Sequence, residues 1–209
     1  MSDILIATVD EAGRGPVIGP LVICGVAFPK DKLDELSKAG VKDSKKLSPR
    51  RRGQLVGWIR GAPETVEITE LTAQTVDRLR RNGVNMNRIE TIEFATIPKK
   101  LVASAVYTDS VGPNSEKFAD TLRSFLYTDI DLTVECKADE NYLQVSAASI
   151  LAKVKRDERV RELEEKHGEI GSGYPSDERT VRFLEKWVED HAELPSFVRR
   201  SWRTANGLE

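Results

Sequence analysis

Apolar positions fall in short unbroken runs near the start of the chain and at helical spacing further on. Ile4 to Val9 is the first run, apolar but for Thr8, and Leu21 to Phe28 the second, each of strand length. Asp31 to Ala39 has the pattern of a short helix, and Val41 to Leu47 that of a polar loop. Ser48 caps a helix with Pro49 at its first position, running to about Arg60. Val66 to Leu71 reads as a third strand, between Pro63 and Thr72. Thr75 to Asn82 is a helix ended by Gly83, and Asn85 caps another that runs to about Thr96, before Pro98. Leu101 to Thr108 is an apolar strand that ends in Asp109. Val111 to Asn114 turns the chain into a helix over Ser115 to Leu126, and Ile130 to Cys136 is the fifth strand, with Asp139 and Glu140 just beyond it.

Val145 to Lys166 predicts the longest helix, small and apolar at its start and heavily charged later. There Glu158 and Glu162, and Arg161 and Glu165, share a face. Gly171-Ser172-Gly173-Tyr174-Pro175 breaks it. Ser176 starts a helix through about His191, and Pro195 and Ser196 begin a last short one containing Arg199, Arg200, Trp202 and Arg203. Three hairpin-like strands followed by alternating helices and strands predict an α/β fold: a five-stranded mixed sheet flanked by helices. Residues 1–170 would form the main domain and 171–209 a small C-terminal helical subdomain packed on it. No repeat or low-complexity tract interrupts this plan.

Composition adds limits. The net charge of −2 gives no overall basic signal for nucleic acid. The distribution is uneven, however: Lys38, Lys42, Lys45, Lys46, Arg50, Arg51, Arg52 and Arg60 face only Asp43 in that stretch, a cluster suited either to phosphates or to a solvated helix face. Cys24 and Cys136 lie in apolar strand patterns without metal spacing and read as small buried hydrophobes of a reducing compartment. His167 and His191 are too scattered for a zinc site. No apolar run approaches a membrane span and no signal peptide precedes Ile4, so the expected location is cytoplasmic. Nothing demands more than a monomer.

The first strand ends in two adjacent carboxylates, Asp10 and Glu11, and Gly13-Arg14-Gly15-Pro16 follows at once. Alone, an Asp-Glu pair reads as a solvated turn. The loop behind it changes the reading: it has little bulk, so its backbone can approach a ligand, and Arg14 can fork onto a phosphate or hydroxyl. Asp109 and Asp139 likewise sit at or just beyond predicted strand ends, where α/β sheets build their sites. Four converging carboxylates repel one another unless hard divalent cations sit among them.

The stretch Ala7 to Val22 resembles the signature of type 2 ribonuclease H, ribonuclease HII, in its archaeal form. Ordered matches continue with Asp43-Ser44-Lys45-Lys46-Leu47, Tyr107-Thr108-Asp109-Ser110, Lys137-Ala138-Asp139, Val145 to Val154 and Gly171 to Asp177, covering residues ~4 to ~180. The resemblance implies a ribonuclease H-like fold and four catalytic, metal-holding acids at Asp10, Glu11, Asp109 and Asp139, with two Mg²⁺ or Mn²⁺ ions. It implies recognition of a ribonucleotide 2′-hydroxyl by Gly13, Arg14 and Gly15. Tyr174 would stack on the following deoxyribose, and Ser44, Lys45 and Lys46 would contact phosphates. Ser146 and Ser149 are further substrate candidates, with Lys137 and Lys153 of the same kind. The substrates implied are RNA–DNA hybrids and duplex DNA carrying ribonucleotides. Residues 201–209 lack the Gln and paired aromatics of a sliding-clamp motif, so that partner is not expected. The rivals are a nuclease of the same fold indifferent to the 2′-hydroxyl, and a non-catalytic nucleic-acid-binding module.

Overall fold

The computed structural model describes residues 5–41, 47–63, 65–112, 114–126 and 130–208. Its strands are β1 (Leu5–Ala12), β2 (Leu21–Pro29), β3 (Thr65–Leu71), β4 (Ala105–Asp109) and β5 (Asp131–Glu135). Its α-helices are α1 (Leu33–Lys38), α2 (Pro49–Gly61), α3 (Ala73–Arg81), α4 (Met86–Leu101), α5 (Ser115–Leu126), α6 (Ala138–Asn141), α7 (Leu143–His167), α8 (Glu178–Asp190) and α9 (Arg203–Asn206). The five strands form one mixed sheet in the order β3-β2-β1-β4-β5. β1 and β4 run parallel with Val9 opposite Thr108, and β4 runs parallel to β5 with Asp109 opposite Glu135. From Leu21 to Phe28 every residue of β2 is buried, as its unbroken apolar run requires.

Local signals explain most boundaries. The Ser48 hydroxyl accepts from the Arg51 N–H at 3.2 Å and opens α2. The Asn114 side chain accepts from the Lys117 N–H at 2.8 Å and opens α5.

The boundaries that differ do so because tertiary contacts outweigh local signals. Helix α4 does not stop before Pro98 but passes through it to Leu101. A proline there costs one helical bond. The added turn, however, buries Ile97 and Leu101, and a Cβ on Gly25 of β2 would come 2.0 Å from Ile97 and 3.1 Å from Leu101. The helix therefore lies close on the sheet where β2 has no side chain. β4 consequently starts at Ala105 rather than Leu101. The third helix starts at Ala73 rather than Thr75, capped by Thr72, whose hydroxyl accepts from the Thr75 N–H at 3.2 Å. Asp177 rather than Ser176 caps α8. Residues 195–202 form turns and an isolated antiparallel bridge between Val198 and Ile18, so only Arg203–Asn206 is helical in the segment predicted as the last helix. Cys24 is buried, but Cys136 lies past the end of β5 and is exposed.

The chain divides into two compact units that interleave in sequence. The first comprises residues 1–12, 23–69 and 87–154, and the second residues 13–22, 70–86 and 155–209. The first carries most of the sheet with α4 and α5, and Phe94 and Phe118 meet edge to face at 6.0 Å between these helices. The second has its own core of Val17, Ile18, Ile170, Leu184, Leu194, Val198 and Ala205, flanked by Phe183, Phe197 and Trp202.

Candidate active site

In the first unit, the parallel register that pairs Val9 with Thr108 makes Asp10 and Asp109 the next residues along two adjacent strands. Such strands lie about 4.8 Å apart. Asp10 is buried and Asp109 half-buried. Thr108 fixes this end of the pair by donating from its hydroxyl to the Val9 carbonyl at 2.9 Å.

Asp109 ties in the third acid. Its Oδ1 accepts from the N–H groups of Ser110 (2.8 Å), Lys137 (2.7 Å) and Ala138 (3.4 Å). Lys137 has a φ of +60°, which side chains rarely adopt; that twist turns successive N–H groups toward the carboxylate. Asp139 follows at once in the first turn of α6 and is buried. The Lys137 ammonium points elsewhere, to Glu140 at 3.3 Å.

Helix α7 supplies the counter-charge. The Thr8 hydroxyl donates to the Gln144 carbonyl at 3.0 Å, fixing the start of the helix to β1. One and two turns on, the Lys153 ammonium donates to the Ser149 hydroxyl, and Ser149 bonds to the Asp10 carboxyl. Burial pushes the Asp10 carboxyl above its usual range. The Lys153 charge, the Ser149 hydroxyl and the Glu11 N–H, which donates at 2.9 Å, act the other way, and burial prevails. The Glu11 carboxyl also lies within hydrogen-bonding reach of Asp10. Two carboxyls in such contact need a proton or a cation between them. Burial, with the Asp10 charge adding to it, also holds the Cys24 thiol far above its ordinary value, so this cysteine is inert packing.

The second unit holds the loop and the tyrosine. Gly13 has a φ of +91°, and a Cβ there would lie 2.5 Å from the Pro20 carbonyl oxygen, so only glycine fits. The fully buried Arg199 guanidinium donates to the carbonyls of Gly13 (2.6 Å), Arg14 (3.1 Å) and Gly19 (3.1 Å). The Trp202 indole N–H donates to the Gly15 carbonyl at 2.9 Å. The Gly173 carbonyl accepts from the N–H groups of Val17 (2.9 Å) and Ile18 (3.2 Å), bringing the Tyr174 turn to the loop. A Cβ on Gly15 would lie 3.3 Å from the Tyr174 ring. Arg156 stands 5.2 Å from the centre of that ring and donates to the Ser172 carbonyl.

The structure thus places Asp10, Glu11, Asp109, Asp139, Ser149 and Lys153 in one unit, and Gly13, Arg14, Gly15 and Tyr174 in the other. Ser146 and Ser149 are fully buried in α7. Ser44, Lys45 and Lys46 lie outside the described residues. The sequence reading missed Arg199, Trp202 and Arg156 as supports of the loop. For Arg199 and Trp202 the only signal was the run Arg199-Arg200-Ser201-Trp202, which reads equally well as a solvated helix face, and Arg156 is one charge among many in the long helix. Among the described residues no three His, Cys, Asp or Glu side chains are already gathered in a metal-holding group. The donor set itself, carboxylate oxygens with one buried carboxyl left short of compensating charge, suits a hard divalent cation.

Comparison with known proteins agrees with this frame. The family model described as Ribonuclease HII matches residues 7–205. The ribonuclease HII of Methanothermobacter thermautotrophicus is 47% identical over 199 residues, covering 94% of this chain and 95% of that protein. The crystal structure of ribonuclease H2 from Pyrococcus horikoshii superposes with a TM-score of 0.92 at 37% identity, covering 98% of this chain and 97% of that one. The ribonuclease HII of Archaeoglobus fulgidus, solved in complex with PCNA, has a TM-score of 0.88 at 40% identity, covering 97% and 96%. PCNA is a partner of that protein, a finding that runs against the expectation of no sliding-clamp partner. The sheet and its flanking helices are those of the ribonuclease H-like hydrolases. Within that class the chain belongs to the ribonuclease HII family, whose members are endoribonucleases acting on RNA–DNA hybrids. No helix among the described residues is long and apolar enough to cross a membrane.

Proposed function

We propose that the chain hydrolyses the RNA strand of RNA–DNA hybrids and also cuts duplex DNA on the 5′ side of a single embedded ribonucleotide, leaving 3′-hydroxyl and 5′-phosphate ends. The observation that carries this reading is the β1–β4 register, which makes Asp10 and Asp109 neighbours, with Asp139 tied in through the amides on Asp109. Asp10, Glu11, Asp109 and Asp139 would hold two Mg²⁺ or Mn²⁺ ions. Such ions, when bound, activate a water and stabilise the leaving oxygen. Ser149 and Lys153 orient Asp10 and offset part of its charge until a cation does so. Gly13, Arg14 and Gly15 read the 2′-hydroxyl through groups that only a loop without bulk can bring close to a sugar. Tyr174, exposed beside that loop, packs on the next sugar. Ser44, Lys45 and Lys46 contact phosphates, and Ser146 supports the site from inside α7.

The test is a short DNA duplex with one ribonucleotide beside its all-DNA twin, incubated with Mg²⁺ or Mn²⁺ and with EDTA as control. A metal-dependent cut 5′ of the ribonucleotide, with the twin intact, is the expected result. Cutting of both duplexes would make the chain a general nuclease. Binding without cutting would make it a binding module.

A further inference from the structure

We propose that Arg199 is a positioning residue for substrate discrimination: it holds the Gly13–Gly19 loop in the one conformation that separates a ribonucleotide from a deoxyribonucleotide. This rests on the reading of Gly13, Arg14 and Gly15 as the 2′-hydroxyl contact.

A glycine-rich loop has many conformations of similar energy, and fixing one of them costs entropy that the loop's own residues do not return. Discrimination at a single hydroxyl needs the opposite property, because polar groups must sit within tenths of an ångström of it. Arg199 resolves this conflict. One planar fork bonds three carbonyls spread over seven residues, those of Gly13, Arg14 and Gly19. Its own backbone N–H donates to the Val17 carbonyl at 2.8 Å, so main chain and side chain grip the same loop. Trp202 holds the remaining member of the triplet through Gly15, and its ring lies 4.8 Å from the Arg199 guanidinium and 5.2 Å from that of Arg80.

The turn that presents both residues is itself pinned. Asp77 of α3 accepts from the N–H groups of Arg200 (2.7 Å) and Ser201 (3.1 Å) and from the Ser201 hydroxyl (2.6 Å). Arg199 is fully buried, out of contact with solvent. A lysine cannot replace it, since an ammonium lacks the flat fork needed to reach three carbonyls at once.

The experiment is single-turnover cleavage of the one-ribonucleotide duplex in Mg²⁺, with the all-DNA twin as competitor, for the parent chain, Arg199→Met, Arg199→Lys and Trp202→Phe. Arg199→Met is expected to raise the half-saturating concentration for the ribonucleotide duplex about tenfold, while inhibition by the all-DNA twin shifts by less than about twofold. Arg199→Lys should recover only part of the loss. Trp202→Phe keeps an aromatic ring but removes the pyrrole part of the indole with its N–H on Gly15; it should move selectivity the same way by a smaller factor, and it decides the matter if Arg199→Met does not fold. Equal weakening toward both duplexes, or unchanged selectivity in folded variants, overturns the proposal. A parent chain that binds both duplexes equally well overturns the reading of the loop itself, and the role of Arg199 with it.

Discussion

The acids of the first unit and the glycine loop of the second are neighbours in sequence, yet they are held in place by different means. Asp10 and Asp109 take their positions from strand register. Backbone ladders set that register, and the bonds on Asp109 come from backbone amides. Side chains far along the chain hold the Gly13–Gly19 loop instead: Arg199 is 186 residues from Gly13 and Trp202 is 187 from Gly15. A sheet tolerates many substitutions without losing register, whereas a loop held by one guanidinium does not. The first arrangement suits groups that must endure mutual repulsion. The second suits a loop that must keep one geometry.

The largest test of this contrast is Asp109→Asn. It keeps much of the side-chain hydrogen bonding but removes a charge, and cleavage should fall by at least about 10²-fold, since even outer-shell ligands cost that much. Duplex affinity, read by gel shift, should change far less. A parallel loss of both would mean that the acids also hold the substrate. Next comes Gly13→Ala. The positive φ and the 2.5 Å approach to Pro20 should cost roughly 2–4 kcal/mol in urea unfolding. The ribonucleotide preference should go with it, while the β1–β4 register keeps the acids in place. Tyr174→Ala should weaken binding of the ribonucleotide duplex about tenfold without lowering the single-turnover rate at saturation.

A smaller effect separates the units by pH. The folded chain raises the Asp10 carboxyl above its usual range, so it binds that proton more readily than the unfolded chain. The resulting stability is full below the usual carboxylate range and is lost as pH rises through the folded value. In EDTA, Asp10→Asn should therefore raise the melting temperature at neutral pH, and the gain should vanish in acid. A lower melting temperature at neutral pH would mean that Lys153 and Ser149 outweigh burial. In the second unit the sign is reversed: the Arg159 guanidinium beside Glu70, at 2.8 Å, holds that carboxyl below its usual range. Glu70→Gln should cost under about 1 kcal/mol, because the pair is partly exposed, and only above the ordinary carboxylate range.

The identity of the elements was legible in the sequence wherever a local signal had no competitor. The α2 cap at Ser48, the span of α5 and the buried run of β2 all appear as read. Misplaced boundaries share one cause: a distant contact outweighed the local signal. Pro98 lost to the burial of Ile97 and Leu101 over Gly25. The short helix read from Pro195 and Ser196 lost to the Ile18–Val198 bridge and to Asp77, which takes the backbone groups a helix would have used. The placement of Asp10 and Asp109 near strand ends was legible because ionisable groups stand out against apolar runs. The supports of the glycine loop were not.

By itself the sequence determined which residues carry charge, which turns require glycine, and that the chain has the family's ordered motifs. Local chemistry writes those properties at single positions. Only the tertiary structure decided that Asp109 receives the amides of Lys137 and Ala138, that Ser149 and Lys153 answer Asp10, and that a buried arginine near the end of the chain grips a loop near its start. Those are pairings between residues up to 186 positions apart, and no local preference encodes a partner at such a distance.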